Sequence, residues 1–283
     1  MSVAVVTDST STISQESAAR LGITVVPLQV VIGAASYDEG EGGATPQMLA
    51  EALREYVPVS TSRPNPDEML AVYEKLAAEG ATEIVSVHLS GELSGTYESA
   101  VLAARNASIQ VTAVDSRQVG MGTGFAAIAA ARAVADGADA AAAAQVARQR
   151  AARTDSLFYV DTLEYLRRGG RVGTAAALLG SALAVKPILE IDGGRIVPRE
   201  KVRTAGKALA RLADLAVNAA GDAEVDVAVA HLESAERAAD LAQRLEASLT
   251  GQLGGREVIV GEIGAVLGAH VGPGMVAVCV SRH

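Results

Sequence analysis

The first half of the chain alternates short apolar runs, rich in β-branched residues, with segments of helical periodicity. Polar turn and cap residues separate them, such as Thr7-Asp8-Ser9 after the first run and Ser14 at the start of a helical segment. This alternation is typical of a mostly parallel sheet covered by helices. The predicted strands are Val3–Val6, Ile23–Ile32, Glu83–Leu89 and Gln110–Val114. The predicted helices are Ser14–Leu21, Gln47–Tyr56, Asp67–Ala78, Gly95–Arg105, Gly124–Ala135 and Asp139–Arg153.

Two polar stretches interrupt this half. Gly33–Gly43 contains several glycines and predicts a hairpin or a flap. Thr61-Ser62-Arg63-Pro64 predicts a loop that leads into the next helix.

The second half predicts a two-layer α+β unit, with two helices packed on a mixed or antiparallel sheet. Asp192-Gly193-Gly194 predicts a hairpin turn between two of its strands. The predicted strands are Leu157–Val160, Lys186–Ile191, Arg195–Pro198, Val225–His231, Glu257–Ile263 and Met275–Val280, and the predicted helices are Ala205–Ala219 and Ala235–Leu249. We therefore expect an N-terminal α/β domain over residues 1–154 and a C-terminal α+β domain over residues 155–283.

Composition and charge restrict the partners of the chain. It has 33 acidic and 24 basic residues among 283, a formal net charge of −9, which opposes general affinity for nucleic acid or anionic membranes. The apolar stretch Val172–Val185 is shorter than the roughly 20 residues that span a bilayer, so it predicts a buried helix or pocket wall. Residues 1–10 do not resemble a secretion signal. Cys279 lies in an apolar run, so we expect it to be a buried core residue. We expect a cytoplasmic protein without stable membrane insertion.

Polar residues follow three of the predicted parallel strands. Thr7-Asp8-Ser9, Ser90–Thr96 and Asp115-Ser116 should meet at one edge of the sheet, where the carboxyl ends of parallel strands face a ligand crevice. The Thr61-Ser62 pair adds two hydroxyl groups. A hydroxyl-rich edge beside a helix N-terminus suits an anionic head group. The alternative is that each segment only caps a helix or forms a turn.

His270 lies among glycines near the C-terminus, where its imidazole could donate a hydrogen bond to an anion or serve a structural role. The spacing of the histidines and of the single cysteine predicts no metal site and no cofactor. An enzyme reading uses Ser94 as nucleophile, His270 as base and Asp8 or Asp115 as orienting acid, in an acyl transferase or hydrolase. The nucleophile-elbow pattern G-x-S-x-G does not fit around Ser94, which disfavours that reading. A third reading is a site for a phosphate-bearing small molecule at the helix N-terminus.

Seven ordered segments together resemble the DegV family of bacterial fatty-acid-binding proteins. The segments are Thr7-Asp8-Ser9, Thr61-Ser62-Arg63-Pro64, Leu93-Ser94-Gly95-Thr96-Tyr97, Val114-Asp115-Ser116, Leu163–Arg171, Lys186-Pro187-Ile188-Leu189 and His270-Val271-Gly272-Pro273-Gly274. The resemblance implies a two-domain α/β protein that holds one long-chain fatty acid between its domains. The chain departs from the usual family pattern at Arg63 and at Val87-His88.

The resemblance also implies residue roles and a partner. The carboxylate contacts carry over to Thr61 or Ser62, Ser94 and His270. The strand-end residues Asp8, Ser9, Gly95, Thr96 and Asp115 are candidates for a supporting rim around them. The protein itself would not be an enzyme: it would present the acid to a separate fatty acid kinase, which forms an acyl phosphate for phospholipid synthesis.

Two further expectations concern surfaces around that ligand. Arg171 and Arg203 are candidates for docking the kinase, the alternative being solvated surface charge. Phe125–Ala135 and Val172–Leu189 are candidate walls of a tunnel for the acyl tail, although core packing would explain them equally well.

Overall fold

The computed structural model describes residues 2–40, 42–178 and 186–283. Its strands are β1 (Val3–Asp8), β2 (Ile23–Val26), β3 (Gln29–Ile32), β4 (Ala35–Asp38), β5 (Val59–Ser62), β6 (Glu83–His88), β7 (Gln110–Asp115), β8 (Thr154–Tyr159), β9 (Lys186–Asp192), β10 (Arg195–Val202), β11 (Val225–His231), β12 (Ile259–Glu262) and β13 (Val276–Arg282). Its helices are α1 (Gln15–Leu21), α2 (Pro46–Arg54), α3 (Pro66–Ala78), α4 (Thr96–Ala104), α5 (Met121–Ala135), α6 (Ala140–Ala152), α7 (Glu164–Arg168), α8 (Ala205–Ala220), α9 (Ala235–Ser248), α10 (Thr250–Leu253) and α11 (Ala265–Val271).

A four-stranded parallel sheet in the order β2-β1-β6-β7 organises the first half, and this confirms the predicted fold class. Neighbouring residues of one strand face opposite sides, as the two-residue period of a strand requires. Val5 packs against alanines of α5 and α6, whereas Val6 packs with Met69 and Tyr73 of α3. Helices therefore cover both faces of this sheet.

The predicted strand Ile23–Ile32 is wrong, because it is two strands in different sheets. β2 belongs to the parallel sheet and β3 to a separate antiparallel sheet in the order β4-β3-β5. Pro27 stands between them, and a proline cannot donate to a strand ladder. The hairpin alternative for Gly33–Gly43 is right, since β3 and β4 pair directly.

The predicted loop at Thr61 and Ser62 is also wrong. Both residues belong to β5, which pairs with β3 so that Thr61 lies opposite Val30. Half-buried positions alternate with exposed ones along this short edge strand, but three of its four residues are polar, so the sequence shows no alternation of apolar and polar residues. The strand fixes the direction of the Thr61 side chain.

The second half contains a six-stranded mixed sheet in the order β10-β9-β8-β13-β11-β12. Helices α8 and α9 cover one face, as predicted. The other face packs against α11 and against Leu28, Val30 and Leu49 from the first third of the chain. The predicted domain boundary at residue 154 stays a prediction. β8 begins at Thr154, but the core between the six-stranded sheet and α11 contains residues from before and after that position.

A buried polar network lies at the ends of β1 and β6. One carboxylate oxygen of Asp8 lies 2.9 Å from His88 Nδ1 and accepts a hydrogen bond of 3.1 Å from the Leu89 amide. The other oxygen accepts hydrogen bonds from the amide and hydroxyl of Thr10. His88 Nε2 lies 2.7 Å from the hydroxyl of Ser86. These groups are almost completely buried, so the network ties the two strand ends together.

Replacing Asp8 with Ala should be strongly destabilising. The change leaves His88, Thr10 and the Leu89 amide without their acceptor in a buried place, so we expect a loss of roughly 3–5 kcal/mol in the free energy of unfolding. The matched control is Asp115→Ala, because among the described residues the half-buried Asp115 carboxylate accepts hydrogen bonds from two amides, those of Gly91 and Arg117. Urea denaturation should show a loss of about 1 kcal/mol for the control. Equal losses for the two variants would contradict this account.

Candidate functional site

A cavity of about 460 Å³ lies between the loop that follows β6 and the face of the six-stranded sheet opposite α8 and α9. Its volume is within the usual range for small-molecule pockets. The apolar lining includes Leu28, Leu89, Phe158, Met275, Ala277 and Cys279. Polar lining residues are Thr61, Ser62, Arg63, Ser94, Ser156, Arg171 and His270. The cavity is therefore mostly apolar, with a group of polar side chains from several distant segments.

Thr61 and His270 are in direct contact. Thr61 Oγ1 on β5 lies 2.9 Å from His270 Nε2 on α11, although 209 positions separate the two residues. His270 Nδ1 is buried and has no hydrogen-bond partner in the described part of the chain. An unpaired N–H is more costly to bury than an unpaired lone pair, so we assign the proton to Nε2. Nε2 then donates to Thr61, whose own hydroxyl proton is free to reach a ligand.

Burial keeps the His270 imidazole neutral. Desolvation, and secondarily the positive charge of Arg171, lowers the pKa of His270 to about 4. Gly169 packs against the other side of the ring, where an added Cβ would lie 2.2 Å from Nδ1. Only glycine fits that position without moving the imidazole.

Ser94 and Gly95 lie just before α4. The Ser94 hydroxyl lies 2.9 Å from Thr96 Oγ1 and accepts a hydrogen bond of 3.3 Å from the Thr96 amide. Arg63 donates to the Gly95 carbonyl at 3.2 Å and covers the glycine so closely that a Cβ there would collide with the guanidinium. The hydrogen bonds to Thr96, the first residue of α4, thus hold the Ser94 side chain at the cavity wall.

Ser62 and Arg171 differ from Thr61 in their partners. Ser62 is exposed and donates to Gln29 at 3.3 Å, so the structure brings Thr61 rather than Ser62 to His270, even though both line the cavity. Arg171 is half-buried and donates to the Leu93 carbonyl at 3.1 Å. It therefore belongs to the cavity wall, whereas Arg203, the other predicted docking residue, is exposed and lies outside the described lining.

The predicted supporting rim divides into separate places. Gly95 lines the cavity, but Asp8, Ser9, Thr96 and Asp115 lie outside its described lining. Asp8 is occupied by the buried network, Ser9 Oγ accepts from the Leu28 amide at 3.0 Å, and Asp115 accepts from two amides. Asp8 and Asp115 accept from amides two residues further on, as the cap-and-turn alternative expects, whereas Ser9 accepts from an amide 19 positions away.

Neither predicted tunnel wall contributes a residue to the described cavity lining, and the core-packing alternative accounts for the described part of both segments. Ala126, Ala127, Ala130 and Ala131 of Phe125–Ala135 pack in the core behind the parallel sheet. Val172, Ala175 and Leu178 pack in the core beside α11, and residues 179–185 lie outside the described residues.

Side chains of β8, β11 and β13 form much of the actual wall, among them Ser156, Phe158, Ala230, Ala277 and Cys279. The sequence analysis did not identify these residues. Their only visible feature in the sequence is that small residues occur at alternate positions of a strand. Cys279 is buried there, as expected, 3.3 Å from Ser156.

The arrangement does not support a Ser-His-Asp relay. His270 Nε2 contacts Thr61, the Ser94 hydroxyl contacts Thr96, and both candidate orienting carboxylates contact other groups. Within residues 2–40, 42–178 and 186–283 there is also no cluster of three metal-ligating side chains and no helix with the length and apolar character to cross a bilayer. The site can bind and orient a ligand with the hydroxyl donors of Thr61 and Ser94, beside the guanidinium groups of Arg63 and Arg171.

The stability of the ligand-free protein should fall as the pH falls from 6.5 towards 4. In that window the unfolded chain binds a proton at His270 that the folded chain excludes, because the folded pKa is about 4. The loss is at most about 1.4 kcal/mol per pH unit and roughly 2–3 kcal/mol in total. Denaturant unfolding of the wild type and His270→Gln across this range measures it. The same pH slope in both proteins would contradict a neutral buried imidazole.

Comparisons with known proteins agree with this geometry. The family model described as "Uncharacterised protein, DegV family" matches residues 2–283. A DegV domain-containing protein of Streptomyces coelicolor is 51% identical over 281 residues, which cover 99% of each chain.

Solved structures include a DegV family protein from Thermus thermophilus described as fatty acid binding, with TM-score 0.92 and 33% identity over 100% of both chains. DegV of Bacillus subtilis, described as a fatty acid binding protein, has TM-score 0.89 and 34% identity over 100% of both chains. The chain belongs to the DegV family.

Proposed function

We propose that this protein binds one long-chain fatty acid in the cavity, with the carboxylate held by the hydroxyl groups of Thr61 and Ser94, and with His270 orienting the Thr61 hydroxyl. The observation that carries the proposal is a mostly apolar cavity of about 460 Å³ whose polar lining includes a half-buried His–Thr pair with a neutral imidazole. The relatives from Thermus thermophilus and Bacillus subtilis, which are described as fatty acid binding, support it.

The acyl tail supplies most of the affinity. Burying a 16-carbon chain contributes roughly 0.8 kcal/mol per methylene, or roughly 12 kcal/mol before association and ordering costs of several kcal/mol. Each hydrogen bond from a hydroxyl group to the charged head group contributes about 1.5–3 kcal/mol net. The hydroxyl groups therefore determine the direction in which the acid lies more than whether it binds.

The hydrogen-bond chain at the head group follows from the tautomer of His270. The Nε2 proton donates to Thr61 Oγ1, and the Thr61 hydroxyl then donates to a carboxylate oxygen. The Ser94 hydroxyl, which already accepts from the Thr96 amide, donates to the carboxylate from the other element. No cofactor is required for this binding.

We further propose that the protein is a cytoplasmic carrier that presents the carboxylate to a separate fatty acid kinase for phospholipid synthesis. A second groove of about 430 Å³ shares Leu93, Ser94, Gly95, Arg171 and Ile196 with the cavity. It has polar walls and adjoins the proposed carboxylate position. That groove is a route by which an external enzyme reaches the head group, and the exposed Arg203 is a candidate for docking it.

Mass spectrometry of an organic extract of the purified protein should detect a bound long-chain fatty acid. Titration of delipidated protein with a fluorescent fatty acid should then show Kd rising roughly 10-fold for Thr61→Val and for Ser94→Ala, since each removes a hydrogen bond to a charged group. Ser62→Ala is the matched control on the same strand, and its Kd should remain within about twofold. An extract free of fatty acid, together with no binding by the delipidated wild type, would reject the proposal.

A reconstituted kinase assay tests presentation. The protein, fatty acid and ATP should yield acyl phosphate only when a fatty acid kinase protein is added. Arg203→Glu should lower the rate several-fold and leave fatty acid affinity unchanged, because the side chain is exposed and outside the described cavity lining. Turnover of fatty acid or an acyl ester by the protein alone would instead favour an enzyme that uses Ser94.

A further inference from the structure

Glu39 is a buried carboxylate outside the described lining of the cavity. It directly follows β4, and its amide donates to the Leu28 carbonyl at 2.8 Å. Its Oε1 atom accepts a hydrogen bond of 2.7 Å from the Val266 amide, 227 positions away. Its Oε2 atom is buried and has no hydrogen-bond partner in the described part of the chain. Burying a carboxylate with one unpaired oxygen costs folding free energy, so we expect Glu39 to have a role that compensates for this cost.

The contact joins the two segments that carry the head-group residues. Val266 is the second residue of α11, and its amide is one of those that a helix start leaves unpaired. His270 follows one helical turn later on the same helix face. Gly264 packs against the carboxyl so closely that a Cβ there would lie 2.1 Å from Oε1.

On the other side, Glu39 continues the strand that pairs with β3, and β3 pairs with the strand that carries Thr61. The contacts therefore form a closed circuit. It runs from Thr61 across β3 to Glu39, from Glu39 to Val266 in the first turn of α11, and along α11 to His270, which contacts Thr61. Two side-chain hydrogen bonds join α11 to this sheet, the Glu39 bond at its first turn and the Thr61 contact at its last, in addition to the apolar packing of Ala265 and Val266. Without the Glu39 bond, apolar packing alone positions the first turn, and packing is less directional than a hydrogen bond.

We propose that Glu39 is a positioning residue for the carboxylate site, which sets the distance between His270 and Thr61 by holding the first turn of α11. This inference rests on the proposed fatty acid function. Glu39 touches no ligand atom and acts through the helix.

The chemistry of the side chain agrees with this role. Burial raises the pKa of Glu39, the Ser9 side chain and the Val266 amide lower it, and the charge of Asp8 raises it again. An anionic or partly anionic acceptor is favoured at a helix N-terminus. The length of the side chain also matters, because the carboxyl must reach across from the hairpin to α11.

The test compares fatty acid affinity among variants at position 39 in delipidated protein. Glu39→Ala removes the acceptor, and Kd should rise about 10-fold. Glu39→Gln keeps an acceptor oxygen of the same reach, and its Kd should lie within about threefold of the wild type. Glu51→Ala is the matched control, since Glu51 is exposed on α2 in the same segment and its Kd should not change. If Glu39→Ala does not fold, Glu39→Asp, which cannot span the same gap, takes its place with the same expected loss.

A double-mutant cycle separates positioning from general stability. In the His270→Gln background, Glu39→Ala should raise Kd by less than threefold, because the group it positions is already gone. A full 10-fold loss in that background, or an unchanged Kd for Glu39→Ala alone, would overturn the inference. If the wild type itself binds no fatty acid, the proposed function fails instead, so the two failures are distinguishable.

Discussion

The packing of α11 is the constraint on which the candidate site depends. This short helix is held by the three-stranded sheet on one side and by α7 and the residues after it on the other. Two glycines allow the approach: Gly169 lies against the His270 ring, and Gly272, with φ of +75°, lies against the ring of Tyr165. A side chain at either position would overlap an aromatic ring. Gly169 and Gly272 lie in two motifs that are far apart in the sequence. Glycine is required at both positions for the same reason, because each motif packs against an aromatic ring of the other.

The same packing decides how the site would treat an anion. Because His270 is buried, its pKa is low and it offers a neutral N–H rather than a positive charge. The two cations of the lining, Arg171 and Arg63, already donate to backbone carbonyls, Arg171 to those of Leu93 and Gly169 and Arg63 to that of Gly95. A carboxylate at Thr61 and Ser94 would thus meet mainly hydroxyl donors. Neutral donors orient an acid without the strong attraction of an ion pair.

The sequence predicts the elements of this fold better than it predicts its site. The parallel sheet is recognisable because β-branched runs and helix caps such as Ser14 repeat along the chain. The split at Pro27 was missed because apolar residues continue on both sides of it, and β5 was missed because its residues are polar. Ser94, Thr61 and His270 were found through ordered motifs rather than through spacing. The cavity wall was not found, because small residues such as Ala230 and Ala277 carry no pattern that separates a cavity lining from ordinary core.

What separates the candidate binding residues from the other polar residues near the same edge is unused hydrogen-bonding capacity. The Asp8 carboxylate accepts from the Leu89 amide and from both donors of Thr10, and it also contacts His88, so it has little left for a ligand. The Thr61 hydroxyl has one hydrogen-bond partner within the described part of the chain, and it can both accept and donate. A sequence shows which residues carry polar atoms but not which of those atoms the fold has already paired. The pairing depends on contacts across as many as 209 positions, so only the folded structure divides a hydroxyl-rich edge into structural caps and a ligand site.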